Sequence, residues 1–175
     1  MKTQSSPTAA LPLAHVVLRV LIFANWFMGV AIFLLLVATP NELWIMRAFH
    51  IPHSPEGSRL VMGLRAIAVL GLIAVPLNYA MLKRLLAMVE TVRAGDPFVA
   101  ANAARLQTIA WVLLALQLLS IAIEAIAKAV SIPGQPLHMH AGFSINGWLT
   151  VLLTFLLARV FAEGTNMRDE LEGTV

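Results

Sequence analysis

Residues 60–130 read LVMGLRAIAVLGLIAVPLNYAMLKRLLAMVETVRAGDPFVAANAARLQTIAWVLLALQLLSIAIEAIAKAV. Two apolar runs, about Leu60–Leu82 and Thr108–Val130, flank a stretch in which charges alternate with aliphatic residues. Each run exceeds the roughly 20 residues a helix needs to cross a hydrocarbon core. Between them, Leu85, Leu86, Val89 and Val92 keep a helical spacing, with charged residues on the opposite side. Gly95 is a natural helix terminator, Asp96 a good N-cap, and Pro97 sits at the favoured first position of a new helix. The stretch therefore predicts two helices, about 60–94 and 97–130, that overshoot the membrane. They meet in a hairpin over 83–107 with its tip at Gly95-Asp96-Pro97-Phe98.

Working outward, two more spans complete the set. One runs from about residue 16 to 39, interrupted only by Arg19 and Asn25, and the other from about 144 to 162. A cleaved signal peptide is the competing reading of the first. Signal cores are only about 7–15 residues, and Val37–Pro40 makes a poor cleavage site. Residues 1–14 read as a flexible polar segment and 163–175 as a tail. Composition agrees: 59% of the 175 residues are hydrophobic and 12% charged, about half the charge of a soluble domain. The mean hydropathy is +0.83. The fold class expected is all-α: a four-helix transmembrane bundle over 15–162 whose second and third helices extend into a cytoplasmic helical hairpin.

Orientation follows from the basic residues flanking the spans. Lys83, Arg84, Arg93 and Arg105 lie in the middle connection, Arg47 and Arg59 in the first loop, and no charge in the third. The middle connection is therefore expected in the cytoplasm, with both termini beside it, in the inner membrane of a bacterial cell. The net charge of +3 resides in these topology signals rather than in a phosphate-binding stripe, so no direct nucleic-acid partner is expected. The chain has no cysteine, which excludes disulfides, thiolate metal sites and thiol catalysis.

Two stretches resemble a bacterial membrane family known as domain of unknown function 2975. The first is Ala94-Gly95-Asp96-Pro97-Phe98, followed by Asn102 and Ala103-Ala104-Arg105-Leu106. The second is Val160-Phe161-Ala162-Glu163-Gly164, then Met167-Arg168-Asp169-Glu170-Leu171-Glu172 and a final Thr174-Val175. Gly173 departs from the pattern, standing where such proteins tend to carry an apolar residue. The resemblance implies a four-helix inner-membrane protein, commonly encoded beside a small helix-turn-helix regulator. It implies no catalytic residues.

Charges inside spans are the default pointers to function, because burying them in hydrocarbon is costly. Arg65 and Glu124 are expected at similar depth on neighbouring antiparallel helices, and Lys128 lies one turn from Glu124. These three residues form either an intramembrane charge cluster or a pair beside two snorkelling cations. His50, His53, His138 and His140 fall in the two loops opposite the hairpin, where imidazoles suit zinc, copper or nickel. Exposed loop histidines are commoner than ligands, so neither a metal nor any other cofactor is expected. Pro76 is expected to kink its helix or free a carbonyl for a neighbour.

Three functions remain open at this level. The first is a membrane regulator or adaptor whose tip residues Gly95, Asp96, Pro97 and Phe98 engage a cytoplasmic protein such as a helix-turn-helix regulator. The second is a small transporter or channel component using Glu124 and Arg65, which requires a homo-oligomer. A membrane enzyme or metal-binding protein using the histidines of the two outer loops ranks last, because no catalytic constellation assembles from the spans. In every case the lipid bilayer is the first partner.

Overall fold

The computed structural model describes residues 7–38, 45–47, 53–131 and 142–172. They form four long helices, α1 (Pro7–Ala38), α2 (Pro55–Arg93), α3 (Ala100–Val130) and α4 (Ile145–Glu172), with a helical turn at 45–47 and no strand among the described residues. All four helices are long and apolar enough to cross a membrane. At 39 residues, α2 is roughly 58 Å long, about twice the hydrocarbon thickness.

The ends of these helices follow local chemistry. Ser54 caps α2, its Oγ accepting from the Gly57 N–H at 3.1 Å, with Pro55 leading and Glu56 in the first turn. That cap places the start of α2 ahead of the expected residue 60. Ser144 does the same for α4, accepting from the Gly147 N–H at 3.2 Å. At the other end of α2, Gly95 takes φ +86°, a left-handed conformation that favours glycine. Its N–H donates to Val92 O and the Asp96 N–H to Thr91 O, the paired bonds of a Schellman stop.

Two expectations need correction here. The third helix begins at Ala100, with Val99 at the cap position, rather than at Pro97. Asp96 does not cap it, because its carboxylate is engaged by Arg168 of α4. Residues 96–99 take up no regular structure and are held partly by Asn102, which donates from Nδ2 to Pro97 O at 2.8 Å. The first helix is already formed at Pro7, ahead of its apolar run, and it continues through Pro12.

The helices stand in an open row. Among the described residues α1 packs only on α2, α2 on α1 and α3, and α4 only on α3. Because α1 and α4 do not meet, the arrangement is not a closed bundle. A soluble protein could not leave such flanks bare, yet Phe23, Phe27, Phe33, Leu152 and Leu156 all stand exposed, as lipid-facing residues should. The buried residues concentrate on α3, at Leu106, Ile109, Ala110, Val112 and Ala127. A second cluster joins Leu60 and Val61 of α2 to Ile45 and Met46, with Val130 packed against it.

Close backbone approach fixes the seams. A Cβ on Gly63 of α2 would fall 2.5 Å from Val130 Cγ2 of α3. Between α1 and α2, Asn25 Nδ2 donates to Val75 O at 3.1 Å, in the turn that Pro76 interrupts, and Trp26 meets Tyr79 edge to face. The helix continues through Pro76.

Candidate functional site

The tip of the α2–α3 hairpin does not project alone. The end of α4 lies against it, so the two stretches that suggested the family resemblance meet in space. Arg168 Nη1 donates to Asp96 Oδ1 and reaches Phe98 O at 3.5 Å. Phe98 stacks on Phe161 at 5.4 Å between ring centroids, and its ring lies beside Gly164. Thr165 is buried one residue further on, donating to Phe161 O at 2.8 Å. On the other flank, His15 Nε2 of α1 lies 3.7 Å from Glu90 Oε1.

A buried amide organises this end. Asn102 is 1% exposed, and its Nδ2 donates to Thr91 Oγ1 at 2.7 Å as well as to Pro97 O. Its Oδ1 accepts from Arg105 Nη1 at 2.7 Å, and the same guanidinium reaches Ala87 O at 3.3 Å. Both kinds of amide capacity are therefore used, which fixes the orientation of the side chain. The network ties the start of α3 to the last turns of α2 and holds the link between them. Sequence reading placed Gly95, Asp96, Pro97 and Phe98 together. It missed Asn102 as the hub, and Phe161, Gly164 and Arg168 as the opposing wall.

At the far end of the row a different polar set appears. Gln117, Ser120, Glu124 and Lys128 fall along one stripe of α3, at successive three- and four-residue steps. Lys128 Nζ pairs with Glu124 Oε1 at 2.6 Å. Ser120 Oγ accepts from the Gly142 N–H at 2.9 Å, Gln117 Nε2 donates to Gly142 O at 3.2 Å, and the Phe143 N–H faces the Glu124 carboxylate. Gly142 has φ +112°, and a Cβ there would overlap the Glu124 carboxylate, so the position requires glycine. This stripe grips the chain as it turns into α4.

The expected charge trio is thus brought together in one part, Glu124 with Lys128. Arg65 is half-buried on α2 and is itself engaged by other groups. Gln117 and Ser120 escaped sequence reading, although their spacing from Glu124 was available to find them. Of the loop histidines, His53 is exposed, while His50, His138 and His140 lie outside the described residues. No group of side chains suited to a metal ion occurs among the described residues.

A family model described as "Protein of unknown function (DUF2975)" matches residues 39–175, which include both stretches that meet at the tip. No curated protein and no solved structure matches the chain. The chain belongs to the DUF2975 family.

Proposed function

We propose that this member of the DUF2975 family is a membrane-embedded adaptor, without enzymatic activity, whose hairpin tip and α4 tail together dock a cytoplasmic protein. One observation carries the reading. Phe98 is 49% exposed and Met167 55% exposed, at an end of the molecule furnished with Glu90, Arg93, Asp96, Glu163 and Arg168. Apolar side chains held bare among charges mark protein-binding surfaces, whereas exposed leucines on the spans need only lipid. The Asp96–Arg168 pair, the Phe98–Phe161 stack and the Asn102 network set the platform before any partner arrives, which lowers the entropic cost of docking.

The family's usual neighbour, a small helix-turn-helix regulator, supplies a partner of suitable kind. The basic residues around the hairpin support its placement on the cytoplasmic side, with both termini there. The reading assigns Glu124 the role of clasping the start of α4 instead of lining a transport path.

A photoreactive amino acid placed at Phe98 or Met167 of the full-length protein in cells tests the proposal. Both positions are expected to crosslink to a soluble protein, and Leu152, exposed on the α4 span, to lipid alone. Equal protein yields from Phe98 and Leu152 would end the adaptor reading. Since the chain has no cysteine, single cysteines at Glu163 and at His53 check its orientation with an impermeant maleimide. Labelling of Glu163→Cys in intact cells would place the platform on the wrong side.

A further inference from the structure

A groove of about 320 Å³ opens between α3 and α4, lined by Ala103, Ala104, Gln107, Phe155, Ala158, Arg159 and Ala162. Four alanines, two from each helix, form its walls, so the slot exists because no longer side chain fills it. Phe155 closes its membrane end, with Trp111 packed edge to face against that ring at 5.2 Å. Along α4 the groove runs from Phe155 to Ala162, roughly 10 Å at the helical rise. It straddles the level at which apolar spans give way to charged segments, where lipid headgroups sit.

The cation at its mouth is available. Arg105 is committed to Asn102 and Ala87 O, and Arg168 to Asp96 and Phe98 O. Arg159 is exposed and makes no ion pair or hydrogen bond among the described residues, its i,i+4 neighbour Glu163 included. Gln107, also exposed, adds an amide donor on the opposite wall.

We propose that this groove binds one anionic phospholipid, with its phosphate on Arg159 and Gln107 and an acyl chain laid along the alanine slot. A guanidinium and an amide meet phosphate oxygens with charge-assisted hydrogen bonds, and the apolar slot selects a lipid over a free anion. A second copy of the chain fits less well. The slot is under two helical turns long, and a symmetric contact would bring the two Arg159 side chains together.

Native mass spectrometry of the full chain, released from nanodiscs of phosphatidylglycerol and phosphatidylcholine, reads the site directly. Phosphatidylglycerol is expected to be retained in preference, and Arg159→Gln to lower that retention about fivefold, the worth of one interfacial cation. Ala104→Phe, which fills the slot from an exposed position, is expected to lower it while leaving helix content intact. Arg19→Gln, removing the exposed interfacial cation of α1, is expected to leave retention unchanged. Equal retention of the two lipids, or an equal loss in Arg19→Gln, overturns the proposal. So does displacement of the lipid by inorganic phosphate. Conversion of a dimer to a monomer by Ala104→Phe, with lipid retention unchanged, overturns it in favour of a second copy.

Discussion

Replacing Asn102 by alanine removes the hub of the tip while leaving every other tip residue in place. Three hydrogen bonds are lost, two from Nδ2 to neutral oxygens and one from the Arg105 guanidinium to Oδ1. Two neutral bonds at about 1 kcal/mol each and a charged one at about 1.5–3 kcal/mol give roughly 3.5–5 kcal/mol. Alanine returns about 0.6 kcal/mol through its better helix propensity. The residual bond from Arg105 to Ala87 O keeps the guanidinium from being stranded. The net expectation is a loss of about 3–4.5 kcal/mol. Detergent-induced unfolding followed by circular dichroism measures it. Hydrogen exchange locates it: amides of Thr91 to Val99 should lose protection, while Gly142 and Phe143 at the far end keep theirs. A cost under about 1 kcal/mol, or a loss spread evenly over both ends, would refute Asn102 as the organiser of this end.

Three further perturbations probe other joints. Gly142→Ala forces a side chain into a left-handed backbone, at about 1–3 kcal/mol, and into the Glu124 carboxylate. Glu124→Ala should relieve only the second effect, so a thermal-melt series that shows full rescue would contradict the backbone requirement. Gly63→Ala should destabilise the α2–α3 seam, and Val130→Ala in the same chain should restore much of the loss; additive melting shifts would deny the close approach. Double-mutant cycles at the tip should give about 0.2–1 kcal/mol for the half-exposed Asp96–Arg168 pair, and about 0.5–1.5 kcal/mol for Phe98–Phe161. Zero coupling in both would detach the tail from the tip.

Hydropathy and glycine chemistry were enough to read the spans and the Gly95 stop, because each rests on residues adjacent in sequence. Ser54-Pro55-Glu56 carried an equally local signal for the start of α2, but the apolar run beginning at Leu60 overshadowed it. Asp96 was a sound N-cap on local grounds. It lost that role to Arg168, which is distant along the chain. The order of helices was not legible for a physical reason. In lipid an exposed face and a packed face are both apolar, so hydropathy does not say which helix covers which. Gln117 and Ser120 carry no charge, so their cost in a span is small and hydropathy does not single them out. What they bond is loop backbone at Gly142, and sequence spacing does not encode that.

The open row has a bearing on biogenesis. Helix order in space repeats helix order along the chain, and each helix packs on those next to it in sequence. As synthesis proceeds, every newly inserted helix therefore finds its predecessor already in the bilayer and need not await a later one. The exception is at the tip. The hairpin can close once α3 is made, but Phe161, Gly164 and Arg168 emerge only with the second half of α4. The wall opposite Phe98 is thus finished only after α4 has been made through Arg168, and products truncated before Phe161 should insert yet lack it.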